Sequence, residues 1–188
     1  MNADRAPQLK AVVGLLFMDP DDLKAMVKAT AVGDESLIEI GRITVHFALL
    51  EWALIDLTHR LLGLPEKRAR AITSELSFRG LQHLASSLLK ERRPKQAKEF
   101  ESILKRVSAC EDKRNIISHS MWGYGGVKSN GTPIVIRTKY TAKQKRGLKF
   151  MRQELTSEDL YAIAREISIA AYDVEVFGAH LGLKRKFN

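Results

Sequence analysis

The chain has little cysteine and no long hydrophobic run that is free of charge. Cys110 is the single cysteine among 188 residues, which excludes an intramolecular disulfide framework and favours a reducing compartment. The longest apolar stretch, Leu37 to Leu64, contains Glu51 and several other ionisable side chains, which are too costly for a lipid-facing helix. The first residues do not have the pattern of a secretory signal. We therefore expect a cytoplasmic protein without a membrane-spanning helix.

Metal ligands and phosphate-binding loops are also missing. The histidines and Cys110 do not have the spacing of a metal site, and no Gly-Lys-Ser/Thr follows the glycines at 123, 125 and 126. Cys110 lies on the apolar stripe of a predicted helix, where a small buried thiol is a more ordinary interpretation than a nucleophile. The sequence therefore predicts neither a metal ion nor a cofactor.

Acidic residues are absent from one long basic segment. Residues 113–153 contain ten Lys or Arg and no Asp or Glu, within a chain of net charge +9. A concentrated positive field attracts polyanions, nucleic acid first and an anionic membrane second, although a solvated basic loop is the simpler alternative. A membrane is disfavoured because the segment has no amphipathic apolar face. The expected nucleic-acid contacts are Lys128, Arg137, Lys139, Lys143, Lys145, Arg146 and Lys149.

Hydrophobic periodicity predicts a mainly α fold, an antiparallel helical bundle that forms one domain over residues 1–188. Short helices are expected within residues 1–34, and longer ones are expected at about 37–62, from Ser77 to the break at 92–94, from Pro94 to about Met121, and from Thr156 to His180, with a short helix near 66–74. Two β-prone runs around Asn130-Gly131 predict a basic β-hairpin at 122–141, inserted before the last helix.

The third long helix carries the best functional clue near its end, in the segment from Arg114 to His119. Asn115 and His119 are four residues apart and therefore share a helix face. Arg114 continues the apolar stripe of the helix, so its guanidinium is expected to point inward and to need a carboxylate partner. Glu51 has apolar neighbours three and four residues away, which also predicts an inward orientation. We hypothesise a Glu51–Arg114 contact between the two helices.

This arrangement resembles the HEPN superfamily, whose small helical bundles carry an Arg, then four to six intervening residues, and then a His. The small polar residue after the Arg, here Asn115, and an acidic residue inside the long preceding helix, here Glu51, agree with that pattern. By helix order the resemblance covers roughly residues 36–182. The Tyr that some HEPN toxins have two residues after the His is Met121 here, so modification of that Tyr cannot be carried over.

The resemblance implies metal-independent RNA cleavage at a site formed where two protomers meet, in a toxin or defence setting with an antitoxin protein as a further partner. The imidazole of His119 could exchange protons with a ribose 2′-OH or with the leaving 5′ oxygen. Arg114 could stabilise the transition state through charge-assisted hydrogen bonds, and Asn115 could orient His119 or bind a phosphate oxygen. The expected products are a 2′,3′-cyclic phosphate and a 5′-hydroxyl.

Other interpretations stay open at this point. Arg114 could be purely structural if a carboxylate engages it fully, and His119 could serve only the helix dipole and the following turn. The chain would then be a non-catalytic helical interaction module that binds nucleic acid or an acidic partner through its basic hairpin. The nearby aromatic side chains allow the same two interpretations, stacking on bases or packing the hairpin onto the bundle: Trp122, Tyr124 and Tyr140.

Overall fold

The computed structural model describes residues 32–143 and 147–183, in which four of five helices contribute to one hydrophobic core cluster and a three-stranded sheet precedes the last helix. The fold is mainly α with a β insertion before the final helix, as the sequence predicts. Of the short helices expected within residues 1–34, the part up to residue 31 lies outside the described residues. The described helices are α1 (Asp34–Leu62), α2 (Glu66–Thr73), α3 (Phe78–Arg92), α4 (Pro94–Ser118) and α5 (Ser157–His180).

Helix α1 lies at the centre of the core and packs most extensively against α5. Leu50, Leu54 and Leu57 are each at most 1% exposed, and their spacing of four and three residues places them on one face. The helix ends at Gly63, which adopts the left-handed conformation with φ 64° and donates its N–H to the His59 carbonyl at 3.1 Å. The predicted end is thus confirmed, while the start lies three residues before the predicted Leu37.

Side-chain caps start two helices at the positions that the sequence predicts. Ser77 Oγ accepts a hydrogen bond from the Gly80 N–H at 3.1 Å at the start of α3. At the start of α5, Thr156 Oγ1 accepts from the Asp159 N–H at 3.2 Å, and Asp159 Oδ2 accepts from the Thr156 N–H at 2.9 Å. This is a capping box with Asp in place of Glu. The hydrogen bond from the Thr156 N–H is the main reason why the pKa of Asp159 is lower than usual.

Helix α4 begins with Pro94 and ends at Ser118, three residues before the predicted end near Met121. Its apolar stripe is placed as the periodicity predicts, since Phe100 and Val107 are at most 1% exposed. The chain then leaves the helix through a two-residue turn and enters a strand. The predicted motif therefore lies at the junction between the bundle and the sheet.

The predicted hairpin forms the first two strands of a three-stranded antiparallel sheet. Its strands, in the order in which they pair, are β1 (Met121–Val127), β2 (Pro133–Lys143) and β3 (Gly147–Leu155). The predicted turn joins β1 and β2: Gly131 has φ 85°, and Asn130 Oδ1 accepts from the Thr132 N–H at 3.1 Å. The hairpin prediction is confirmed.

Strand β3 is not predicted from the sequence, which gives only the hairpin at 122–141 before the last helix. The sequence of β3 does not alternate strictly between apolar and polar residues, because Phe150 and Met151 are adjacent. Pairing with β2 along its whole length supplies the hydrogen bonds that keep this segment extended. Tyr140 lies opposite Phe150, with 5.1 Å between the ring centroids.

Candidate nucleic-acid interface

The sheet holds the C-terminal end of α4, where the motif lies. The half-buried Lys139 on β2 donates its Nζ to the Asn115 carbonyl at 3.2 Å, and the Trp122 indole on β1 donates to the Ile117 carbonyl at 3.2 Å. The Ile117 carbonyl lies in the last turn, where carbonyls have no partner within the helix, so the indole satisfies a group that would otherwise need water. The Asn115 carbonyl also accepts from the His119 N–H, so Lys139 is its second donor. The charge of Lys139 also suits the negative end of the helix dipole.

Arg114 is half-buried on the side of α4 that faces the core. Its Nη1 donates to Oδ1 of the adjacent Asn115 at 2.9 Å, and its Cζ lies 4.3 Å from the centroid of the Phe47 ring. Phe47 is 2% exposed, so the guanidinium makes a cation–π contact with a desolvated ring. The guanidinium points inward as predicted, but its partners are an amide and an aromatic ring.

The hypothesised Glu51–Arg114 ion pair is not formed. In the part of the chain that the structure describes, no Glu51 oxygen lies within 4.0 Å of a guanidinium nitrogen of Arg114. Glu51 is half-buried on α1, one turn after Phe47. The guanidinium contacts α1 at Phe47 and not one turn further along, so the expected supporting role of Glu51 has no direct contact behind it.

His119 forms the C-cap of α4, and its side chain is exposed. Its backbone N–H donates to the Asn115 carbonyl at 3.3 Å, whereas its imidazole takes part in none of the hydrogen bonds and ion pairs within residues 32–143 and 147–183. Asn115 therefore contacts both other motif residues, Arg114 through its side chain and His119 through its backbone. The side chains of Arg114 and Asn115 are thus hydrogen-bonded to each other, His119 is joined to Asn115 through the backbone alone, and its imidazole is solvent-accessible.

Arg137 is buried, which contradicts its predicted contact with nucleic acid. Its side chain bonds only neutral oxygens: Nη1 donates to Ser120 Oγ at 3.2 Å, Nη2 donates to Gln153 Oε1 at 2.8 Å, and Nε has no partner. The residue is 2% exposed, and burial lowers the pKa of its guanidinium from the usual value. Strand alternation turns Arg137 toward α4 on the same side as Lys139. Arg137 therefore joins β2 and β3 to the end of α4 and is a structural residue.

Two of the other predicted nucleic-acid contacts are accessible. Lys128 lies at the turn after β1 and Lys149 lies on β3, and both are exposed. Lys145 and Arg146 lie outside the described residues, as does the side chain of Lys143. The two exposed lysines thus lie toward opposite ends of the sheet.

The aromatic residues near the hairpin divide between the two interpretations. Trp122 is half-buried against the core, whereas Tyr124 and Tyr140 are 63% and 60% exposed. Two further surface residues, Phe150 and Arg152, were missed by sequence reasoning because β3 is not predicted. The available signal was an aromatic residue flanked by cations inside the segment that lacks acidic residues. The exposed rings therefore belong to all three strands and not to the hairpin alone.

The other chemistry considered from the sequence finds no site in the described residues. Burial raises the pKa of the Cys110 thiol to about 11, and the Glu166 carboxylate adds to the shift. A buried thiol of this kind is a core side chain and not a nucleophile. Within the described ranges, no three His, Cys, Asp or Glu side chains are grouped so that they could hold a metal ion. Every helix in the same ranges is too short or too polar to span a bilayer.

Comparisons of the chain with protein-family models, with curated proteins and with solved structures give no match. The case for a function therefore depends on the geometry of these residues and on the resemblance of the motif.

Proposed function

We propose that the chain is a HEPN-like RNA-binding protein that acts as a homodimer, with Arg114, Asn115 and His119 as a metal-independent endoribonuclease site. The observation that carries the proposal is the exposed imidazole of His119 at the end of α4. Asn115 lies one turn before it and accepts a hydrogen bond from the guanidinium of Arg114. A proton-transfer group, an amide and a cation at one helix end are the groups that cleavage of an RNA phosphodiester requires.

In the proposed reaction, the imidazole of His119 removes the proton from a ribose 2′-OH, and the 2′ oxygen attacks the adjacent phosphorus. The bond from phosphorus to the 5′ oxygen breaks, and that oxygen takes a proton from the partner's His119. Arg114 stabilises the charge on the non-bridging oxygens once its hydrogen bond to Asn115 is exchanged for one to phosphate. The products are a 2′,3′-cyclic phosphate and a 5′-hydroxyl.

A second candidate is a non-catalytic interaction module that binds nucleic acid or an acidic protein through the exposed lysines of the sheet. The contacts of Arg114 favour it, because a guanidinium that lies on Phe47 and bonds Asn115 already has a structural role. A toxin or defence setting, with an antitoxin protein as a further partner, is supported by the resemblance alone and applies to either candidate.

The test is cleavage of a mixed RNA pool in EDTA by the wild type, by His119→Ala and by His83→Ala. His83 is an exposed histidine on α3 and serves as the matched control. We expect the wild type and His83→Ala to produce cyclic-phosphate ends. In His119→Ala the rate is expected to fall by about 10² to 10⁴, the usual effect of losing a general acid–base group.

Three other outcomes decide against part of the proposal. Cleavage by His119→Ala at the wild-type rate would remove the catalytic role of His119. Salt-sensitive RNA binding without cleavage by any of the proteins would favour the interaction module. A wild type that neither binds nor cleaves RNA would exclude the nuclease and any nucleic-acid-binding form of the module.

A further inference from the structure

One face of the sheet points away from α4. Arg137 and Lys139 are turned toward the helix end, where they contact Ser120 and Asn115. Because strand residues alternate between faces, the positions between and after them point outward, and residues that pair directly across strands point the same way. By the strand register, the outer sheet face carries Met121, Thr138, Tyr140, Phe150 and Arg152.

The outer sheet face exposes large apolar side chains next to one another. Tyr140 and Phe150 are 60% and 57% exposed, and their rings meet at an interplanar angle of 48°. Met121 is 70% exposed at the start of β1. A phenyl ring that is more than half exposed gains little from the hydrophobic effect in the folded chain, so its position on a surface favours a binding role.

An open groove of about 380 Å³ runs beside these rings. Ile136 and Gly123 line it together with the aromatic pair. A Cβ built on Gly123 would have no heavy atom within 4 Å, so the space above this part of β1 is free. The groove therefore offers both ring faces and room for a flat group beside them.

Charged side chains accompany the rings on the outer sheet face. Arg152 is exposed on the face, whereas Lys149, although exposed on the same strand, alternates to the side of Lys139. By the same register, Glu154 also lies exposed on this face, two residues beyond Arg152 and further from the rings. An apolar protein surface that covered the rings would also remove the nearby guanidinium from water, which is costly. An unpaired RNA strand presents base faces and phosphates together and therefore matches both features.

We propose that the outer sheet face binds unpaired bases of single-stranded RNA, which stack on Tyr140 and Phe150 while Arg152 contacts a phosphate. This inference rests on the proposed function and names the form of RNA that the site takes. Met121 is two residues after His119, so at most about 7 Å of extended chain separates the face from the motif. A strand held on the sheet is thus delivered to the imidazole, and duplex RNA, whose bases are already stacked, is not.

The test is binding of labelled RNA by fluorescence anisotropy, with His119→Ala as the common background so that RNA stays intact. The probes are an adenine homopolymer, a uracil homopolymer and a blunt duplex of the same length. The variants are Tyr140→Ala, Phe150→Ala, Phe150→Leu and Tyr140→Phe, with Tyr172→Ala as the control. Tyr172 lies on α5 and is 66% exposed, so it matches the exposure of the sheet residues.

We expect the single strands to bind at least about tenfold more tightly than the duplex, with adenine above uracil because purines stack more strongly. Each Ala variant weakens single-strand binding by about tenfold or more, the usual effect of losing one stacked ring. Phe150→Leu weakens binding by a similar factor although leucine is equally apolar, whereas Tyr140→Phe and Tyr172→Ala bind as the background protein does. Circular dichroism confirms that each variant is folded.

The inference is overturned if Phe150→Leu keeps full affinity, if duplex binds as well as single strands, or if polyglutamate competes equally in every variant. The last result would indicate simple charge attraction, as in an acidic protein partner. If binding depends on the rings but the wild type does not cleave RNA, the proposed sheet surface stands and the proposed nuclease activity is wrong. If the wild type cleaves RNA but the ring variants bind with unchanged affinity, the proposed nuclease activity stands and the proposed sheet surface is wrong.

Discussion

Replacing the buried Arg137 with methionine is expected to leave the free energy of unfolding unchanged or to raise it. The guanidinium is 2% exposed and donates only to the neutral oxygens of Ser120 and Gln153, while Nε has no partner. In the described residues no carboxylate lies within 4.0 Å of it. A buried cation without a carboxylate retains most of its desolvation cost, and a neutral side chain of similar length removes that cost.

The magnitude follows from two opposing contributions. Two hydrogen bonds from a charged donor contribute about 1.5 to 3 kcal/mol each, whereas desolvation of a buried ion costs several kcal/mol. Methionine removes both contributions. It leaves neither former acceptor buried without a hydrogen bond, because the Ser120 hydroxyl still donates to the Ile116 carbonyl and Gln153 is exposed to water. We therefore expect Arg137→Met to change the unfolding free energy by about 0 to +2 kcal/mol. Arg137→Lys keeps the charge but loses the several N–H donors of the guanidinium. We expect it to lower the free energy of unfolding by about 1 to 3 kcal/mol.

Urea unfolding followed by circular dichroism at neutral pH measures both changes, with Lys149→Met as the exposed control. The order of stabilities is the decisive result: methionine above lysine at position 137. A loss of about 3 kcal/mol or more in Arg137→Met would show that the guanidinium is a net stabilising group, and the reasoning about its missing counter-ion would be wrong.

Three further changes test individual contacts. Asp159→Asn is expected to cost about 1 kcal/mol of unfolding free energy at neutral pH. Since the folded pKa of Asp159 is depressed, the wild type loses this advantage as the pH falls through that value, and a difference in urea midpoints that grows on acidification would contradict the cap. Arg114→Met is expected to cost about 1 kcal/mol through the lost contact with Phe47, measured by thermal unfolding, whereas Arg165→Met on the exposed side of α5 costs little; equal losses would remove the cation–π contact. Cys110 is expected to react with a thiol reagent much more slowly in the native protein than in urea at pH 8, because it is buried and its pKa is about 11, and rapid native labelling would disprove its burial.

The helices of this protein are predictable because their signals are local. A capping side chain reaches N–H groups two or three residues ahead, so Ser77 and the Thr156–Asp159 pair mark helix starts without any knowledge of the fold. Pro94 acts in the same way, since its ring suits the first turn of α4. The turn at Asn130-Gly131 is equally local. These signals fix the order of the elements and the fold class.

The third strand and the roles of the basic residues depend on contacts between distant parts of the chain. Strand β3 is extended because β2 pairs with it, and its own sequence carries no strict alternation. Alternation along β2 separates Arg137 and Lys139 from Tyr140 but does not say which set faces the bundle, since both sets contain polar side chains. The same limit applies to Arg114: helix periodicity directs it inward, but only the packing of α1 against α4 determines that it meets Phe47 and not Glu51.

The hydrogen bonds from the sheet to α4 also matter for anyone who wishes to shorten this protein. Residues 121–155 have the place of an insertion and look removable, yet a linker in their place would take away the Lys139 and Trp122 donors from the carbonyls of Asn115 and Ile117. The last turn of α4 would then open to water and fray, and His119 would fray with it. A trimmed, purely helical version would thus be a scaffold without its motif, so the two must be kept or transplanted together.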